Sequence, residues 1–111
     1  MGDKEIREQV SKGKAYTLVL LLKGNNRTSD KEAAEKLQME HLRYLFKLRE
    51  EGKLLLNGPL KCDNDLRGIG IFASTDLDEV RKLAEEDPAV KAGSIRIEVY
   101  PWFGLPGDCL T

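Results

Sequence analysis

The chain has 111 residues, close to the commonest domain size, and roughly two thirds of its unfolded surface can be buried, enough for one core without staples. Its 18 basic and 19 acidic residues nearly cancel to a formal charge of -1 with no long run of either sign, which argues against a nucleic-acid partner. The longest apolar stretch, residues 18–22, is far short of the about 20 a membrane helix needs, and Lys12-Gly13-Lys14 before it lacks signal-peptide character, so a cytoplasmic protein with no membrane partner is expected.

Residues 1–14 alternate charge without strong periodicity and read as a polar N-terminal arm, with at most a short helix around Ile6 and Val10. Residues 16–22 predict a strand in which Tyr16, Leu18, Leu20 and Leu22 face one way and Thr17, Val19 and Leu21 the other, so both faces are largely apolar. Ser29 and Glu32 have the spacing of a capping box that opens a helix running to about Glu51 and ended by Gly52. Residues 53–56 form a second strand that enters the turn Gly58-Pro59, and an Asp- and Asn-rich loop follows at residues 62–65. A third strand covers residues 69–73. Thr75 then caps a second helix, with Asp76 and Asp78 in its first turn, which ends near Asp87-Pro88. Finally, residues 94–102 alternate, with Ile95, Ile97 and Val99 opposite Arg96, Glu98 and Tyr100, as a fourth strand does.

The order β-α-β-β-α-β predicts an α+β, ferredoxin-like domain: a four-stranded antiparallel sheet with two helices on one face. The expected division is a polar arm (1–14), the domain (15–102) and a C-terminal tail (103–111). Because the first strand is apolar on both faces and the second reads Leu54-Leu55-Leu56, the face away from the helices needs a cover. A homodimer joined through the sheet face supplies one; the tail folded back over the sheet is the alternative.

His41 is the single histidine, and it falls near the middle of the helical stripe Ala33, Ala34, Leu37, Tyr44, Leu45 and Leu48. The helix therefore aims His41 at the sheet, where a buried imidazole left unpaired costs on the order of 1–3 kcal/mol. The second helix has the stripe Leu77, Val80, Leu83 and Ala84, which extended by one turn reaches Asp87. There a carboxylate opposes the helix dipole by about 0.3–1 kcal/mol, unless Asp-Pro merely begins a turn. Between antiparallel helices, His41 lies ten residues before Glu51, about 15 Å, and Asp87 twelve after Thr75, about 18 Å, so the two share a layer if those helix ends are level. If paired, Asp87 fixes one tautomer of His41 and leaves the other ring nitrogen to move a substrate proton. A satisfied core histidine is the competing reading.

Other patterns carry less. Gly68-x-Gly70-x-x-Ala73 lacks the preceding strand and following helix of a dinucleotide loop. Asp63-Asn64-Asp65 begins like a calcium loop, but Arg67 takes a ligand position and no bidentate glutamate follows. Cys62 and Cys109 stand 47 positions apart and read as reduced thiols, and no second histidine completes a metal set.

The ordered text His41-Leu42-x-Tyr44-Leu45, Gly52-Lys53-Leu54-Leu55, Gly58-Pro59-Leu60, Asp87-Pro88, Ala92-Gly93 and Glu98-Val99-x-Pro101-Trp102 resembles the YCII-related (YciI-like) family over about residues 16–102. The resemblance implies a dimeric α/β barrel and a small cleft in which a histidine and an aspartate, here His41 and Asp87, are the active-site pair. The wider fold group includes lactone isomerases and cofactor-independent monooxygenases of small ring compounds, and the family is linked to dehydrohalogenation of chlorinated aromatics. The arm, the tail after Trp102 and Asn57 depart from the usual pattern. The expectation is then a lyase or isomerase without metal or cofactor, acting on a small cyclic or aromatic molecule. Catalysis falls to His41 and Asp87, and substrate contacts to Asn57, Gly58, Pro59 and Trp102. The alternative is a non-catalytic module of the same fold that binds a small ligand or a protein.

Overall fold

A computed structural model describes residues 1–111. In chain order the elements are α1 (Asp3–Ser11), β1 (Lys14–Lys23), α2 (Lys31–Glu50), β2 (Leu54–Pro59), β3 (Leu66–Phe72), α3 (Leu77–Glu85), α4 (Pro88–Lys91) and β4 (Ile95–Gly104). The sheet is antiparallel with order β2-β3-β1-β4, so β1 is hydrogen-bonded on both sides. This is the split arrangement in which each β-α-β crossover skips one strand.

The expected barrel does not form. β2 and β4 are edge strands that do not meet, and the sheet stays open. Four twisted strands are half of the roughly eight needed to close around their own side chains. Besides the two helices expected on the sheet there are two more: the arm is helical over α1, around the Ile6 and Val10 positions where a short helix was allowed, with none of its residues buried, and a short α4 that was not expected follows α3. No helix is long and apolar enough to cross a membrane.

Both predicted caps move by one residue, to carboxylates. Asp30, not Ser29, accepts from the Glu32 amide at 3.2 Å, and Asp76, not Thr75, accepts from Asp78 and Glu79 at 3.0 and 3.2 Å. A charged acceptor gains more at the positive end of a helix than a hydroxyl does. Gly58-Pro59 is the end of β2, not a turn. Proline is tolerated there because an edge strand has amides that need no sheet partner.

The core lies between the sheet and the helices. Val19, Leu54 and Phe72 meet Leu48 of α2 and Val80 and Ala84 of α3. Thr17, fully buried at the centre of the sheet, gives its hydroxyl to the Ser74 carbonyl at 2.7 Å. Two register shifts interrupt the pairing. One lies between Leu54 and Leu56, which makes Leu55 the extra residue of β2. In the other, Leu21 and Leu22 face Gly68 and Leu66, which makes Arg67 the extra residue of β3. A bulge of this kind re-aims the side chain it carries.

The first shift yields a contrast between neighbours. Leu54 is 2% exposed and Leu55 46%. Urea unfolding should show Leu54→Ala losing about 2–5 kcal/mol and Leu55→Ala, exposed on the outer face, losing distinctly less.

Candidate active site

Placing His41 on the inner face of α2 follows from the helical stripe: it and Leu48 are the two buried residues of that helix. Its Nδ1 lies 2.6 Å from Oδ2 of Asp87, and the two side chains are 8% and 3% exposed. An ionised carboxylate only accepts, so Nδ1 carries the proton and Nε2 is the ring's basic nitrogen. Nε2 has no hydrogen-bond partner within the chain, yet no buried side-chain nitrogen or oxygen is left unsatisfied, so Nε2 is open to solvent or ligand.

Asp87 arrives by a route other than the predicted one. α3 ends at Glu85, and Asp87 is the N-cap of α4, with Pro88 in the first turn and the Ala89 amide donating to Oδ1 at 2.9 Å. The carboxylate thus sits at the favourable end of a helix, not the unfavourable one. Each oxygen has its own task, one for the cap and one for His41.

One turn along α2, the Tyr44 hydroxyl donates to the Leu83 carbonyl at 2.6 Å and ties α2 to α3 beside the pair. Burial, then the negative charges of Glu86, Asp87 and Glu51, push its pKa from 10.0 up to about 12. The phenol is therefore held as a donor.

His41 opens on a cavity of about 360 Å³ between the inner face of the sheet and α2. Leu37, Leu42, Leu45 and Ile95 make its apolar walls, and Gln38, Asn57, Ser94, Arg27 and Arg67 add polar groups. Among the expected contact residues, Asn57, Gly58 and Pro59 border this cavity. Trp102 does not: it pairs across the sheet with Tyr16, ring centroids 6.0 Å apart, on the face away from the helices. An added Cβ at Gly58 would meet nothing within 4 Å, so no contact inside the chain demands glycine there. Arg27 and Arg67 were missed in the sequence. The first lies in a loop with no pattern, and the second is displaced by a bulge that alternation alone does not reveal. Among His, Cys, Asp and Glu, no group of three is disposed to hold a metal ion, and Cys62 and Cys109 are exposed and unbridged.

The YCII-related domain matches residues 17–103, and the chain belongs to that family. Among solved structures it is similar to 5-chloro-2-hydroxyhydroquinone dehydrochlorinase (TftG) of Burkholderia phenoliruptrix AC1100 in complex with 2,5-dihydroxybenzoquinone. Identity is 26% over 77% of this chain and 92% of that one, with a TM-score of 0.53. A more remote likeness is to LarC2, the C-terminal domain of a cyclometallase involved in the synthesis of the NPN cofactor of lactate racemase. There identity is 13%, coverage 83% of this chain and 57% of that one, and the TM-score 0.42. No curated protein matches in sequence.

The double role of Asp87 sets a measurable cost. Asp87→Ala removes the cap, about 0.5–2 kcal/mol, and strands the imidazole N–H, about 1–3 kcal/mol. Urea unfolding should register both, while Asp87→Asn, which keeps an acceptor for the cap, should recover part of the loss; equal losses in the two variants would contradict the double role.

Tyr44 supplies a second test. Its raised pKa means that its contribution to stability is intact below pH 10.0 and is lost as pH climbs through about 12. Ultraviolet titration should show a late tyrosinate step that is missing in Tyr44→Phe. Tyr100, shifted upward by its hydrogen bond to Glu98, should remain in that variant.

Proposed function

We propose that this YCII-related protein is an enzyme that moves a proton on a small cyclic or aromatic substrate, as a lyase or an isomerase, with His41 as acid/base and Asp87 as its orienting partner. The observation that carries the reading is the buried 2.6 Å contact, which leaves Nε2 as the free nitrogen beside a cavity. A volume of about 360 Å³ suits one substituted ring. Asn57, Gly58 and Pro59 form the wall contributed by β2.

Nε2 takes a proton from a carbon or hydroxyl of the substrate, and the electron pair left behind moves into the ring. In a lyase that pair expels a leaving group such as chloride, with net loss of HCl. In an isomerase the imidazolium returns the proton to a different atom. Both balance without an external electron acceptor. Asp87 offsets the charge on the protonated ring and holds its orientation. The similarity to a dehydrochlorinase favours the elimination route and makes 5-chloro-2-hydroxyhydroquinone the first compound to try.

We also infer a homodimer through the outer sheet face. Tyr100 is 44% and Trp102 42% exposed there beside Leu56, and residues 104–110 of the tail border only part of that surface. Light scattering on a sizing column should give twice 12.5 kDa, and a clean 12.5 kDa species would rule the dimer out.

Chloride release and solvent deuterium exchange into small phenols and cyclic acids test the reaction. General acid/base catalysis contributes about 10²–10⁴ in rate, so His41→Gln should lower turnover by that factor while ligand binding survives. Full turnover in His41→Gln would defeat the assignment; binding without any turnover in the wild type would favour the non-catalytic module.

A further inference from the structure

The cavity beside His41 carries charge that a proton shuttle does not by itself require. Arg27, from the loop between β1 and α2, and Arg67, the bulged residue of β3, both line it, and no Asp or Glu side chain does. In a chain with a net charge of -1, that is a local excess of positive charge. The arginine engaged in ion pairs is Arg96, with Asp65 and Glu98; Arg27 and Arg67 have no carboxylate partner.

Each of the two guanidinium groups is tethered through one nitrogen. Arg27 Nη1 donates to the Ser94 carbonyl at 3.2 Å, while Arg67 Nη1 donates to the carbonyls of Asn64 and Leu66 at 2.5 and 3.1 Å. Nε and Nη2 remain without a partner in the chain, and these form the side-on edge that grips a planar oxyanion with two parallel bonds. Tethering removes part of the freedom that a solvated arginine would lose on binding. Arg67 is half-buried and Arg27 exposed, so Arg67 lies deeper and Arg27 stands at the opening.

We propose that this cavity selects an anionic ligand: a small ring bearing a carboxylate or an enolate-type oxygen anion. The ring lies against Leu37, Leu42 and Leu45, and the oxyanion is held by Arg67 with Arg27 at the mouth. The proposal rests on reading this cavity as the substrate site. A guanidinium there also offsets negative charge that enters the ring as the proton leaves.

His41 is the only histidine, so its ring resonances report occupation of the cavity without ambiguity. Titrating the intact protein with benzoate and with 2,5-dihydroxybenzoquinone should shift those resonances, and neutral benzamide should bind at least about ten-fold more weakly than benzoate. Arg67→Gln and Arg27→Gln should each weaken the anions by about ten-fold and leave benzamide unchanged, with Arg67→Lys in between because it keeps the charge and loses the fork. Equal affinity for benzoate and benzamide, no response of His41 to either anion, or anion binding indifferent to both Gln substitutions would overturn the proposal. Calorimetry on His41→Gln separates it from the acid/base reading. Anion preference retained with turnover undiminished defeats only the role of His41, whereas turnover lost with no anion preference defeats only the arginine site.

Discussion

One carboxylate, with each oxygen committed to a different neighbour, decides where the helical layer sits. Oδ1 of Asp87 closes the first turn of α4 and Oδ2 accepts a hydrogen bond from His41 Nδ1, so the start of α4 and the middle of α2 are held at a single spacing. Tyr44 adds a second tie, from α2 to the last turn of α3. Side-chain packing between helices tolerates sliding that a buried 2.6 Å polar contact does not, because a buried group that loses its partner keeps its desolvation cost. The cavity owes its shape to that spacing: α2 forms one wall, and Ala89 of α4 and Ser94 just beyond it form another.

The sheet contributes through its irregularities. Regular pairing of β1 with β3 would put Arg67 in strict alternation with its neighbours, but the register shift removes it from the ladder and brings it to the cavity. On the other side, the loop after β1 is stitched to the start of β4, with Gly24 donating to Ser94 and Asn26 to Gly93 and Ala92. A side chain at Gly24 would collide with the Gly93 carbonyl, so glycine is what lets the two segments cross there. That crossing carries Arg27 and Ser94 to the same edge of the cavity.

Much of this was legible in the sequence, for identifiable reasons. Periodicity was sufficient for β1, α2 and the buried position of His41, since a long stripe on one helix leaves little choice of face. Counting turns brought Asp87 into the same layer although the electrostatic reasoning was reversed. Two helices divided at residues 86–87 look like one helix in a pattern of apolar spacing, and the cap became visible only in the backbone. Trp102 was readable but misread. Period-two alternation continued from Tyr100 sends it to the outer face, away from His41. Arg67 was not legible at all, because a single inserted residue leaves no trace in composition or spacing. The open sheet overturned the barrel implied by resemblance.

The two commitments of Asp87 also bear on how such a site persists. A residue that serves chemistry alone is lost once the chemistry stops being useful, since nothing else resists the change. Here a substitution at position 87 strips a helix cap and strands a buried ring before turnover enters the account. The folding requirement therefore screens variants for the same side chain the proposed reaction needs.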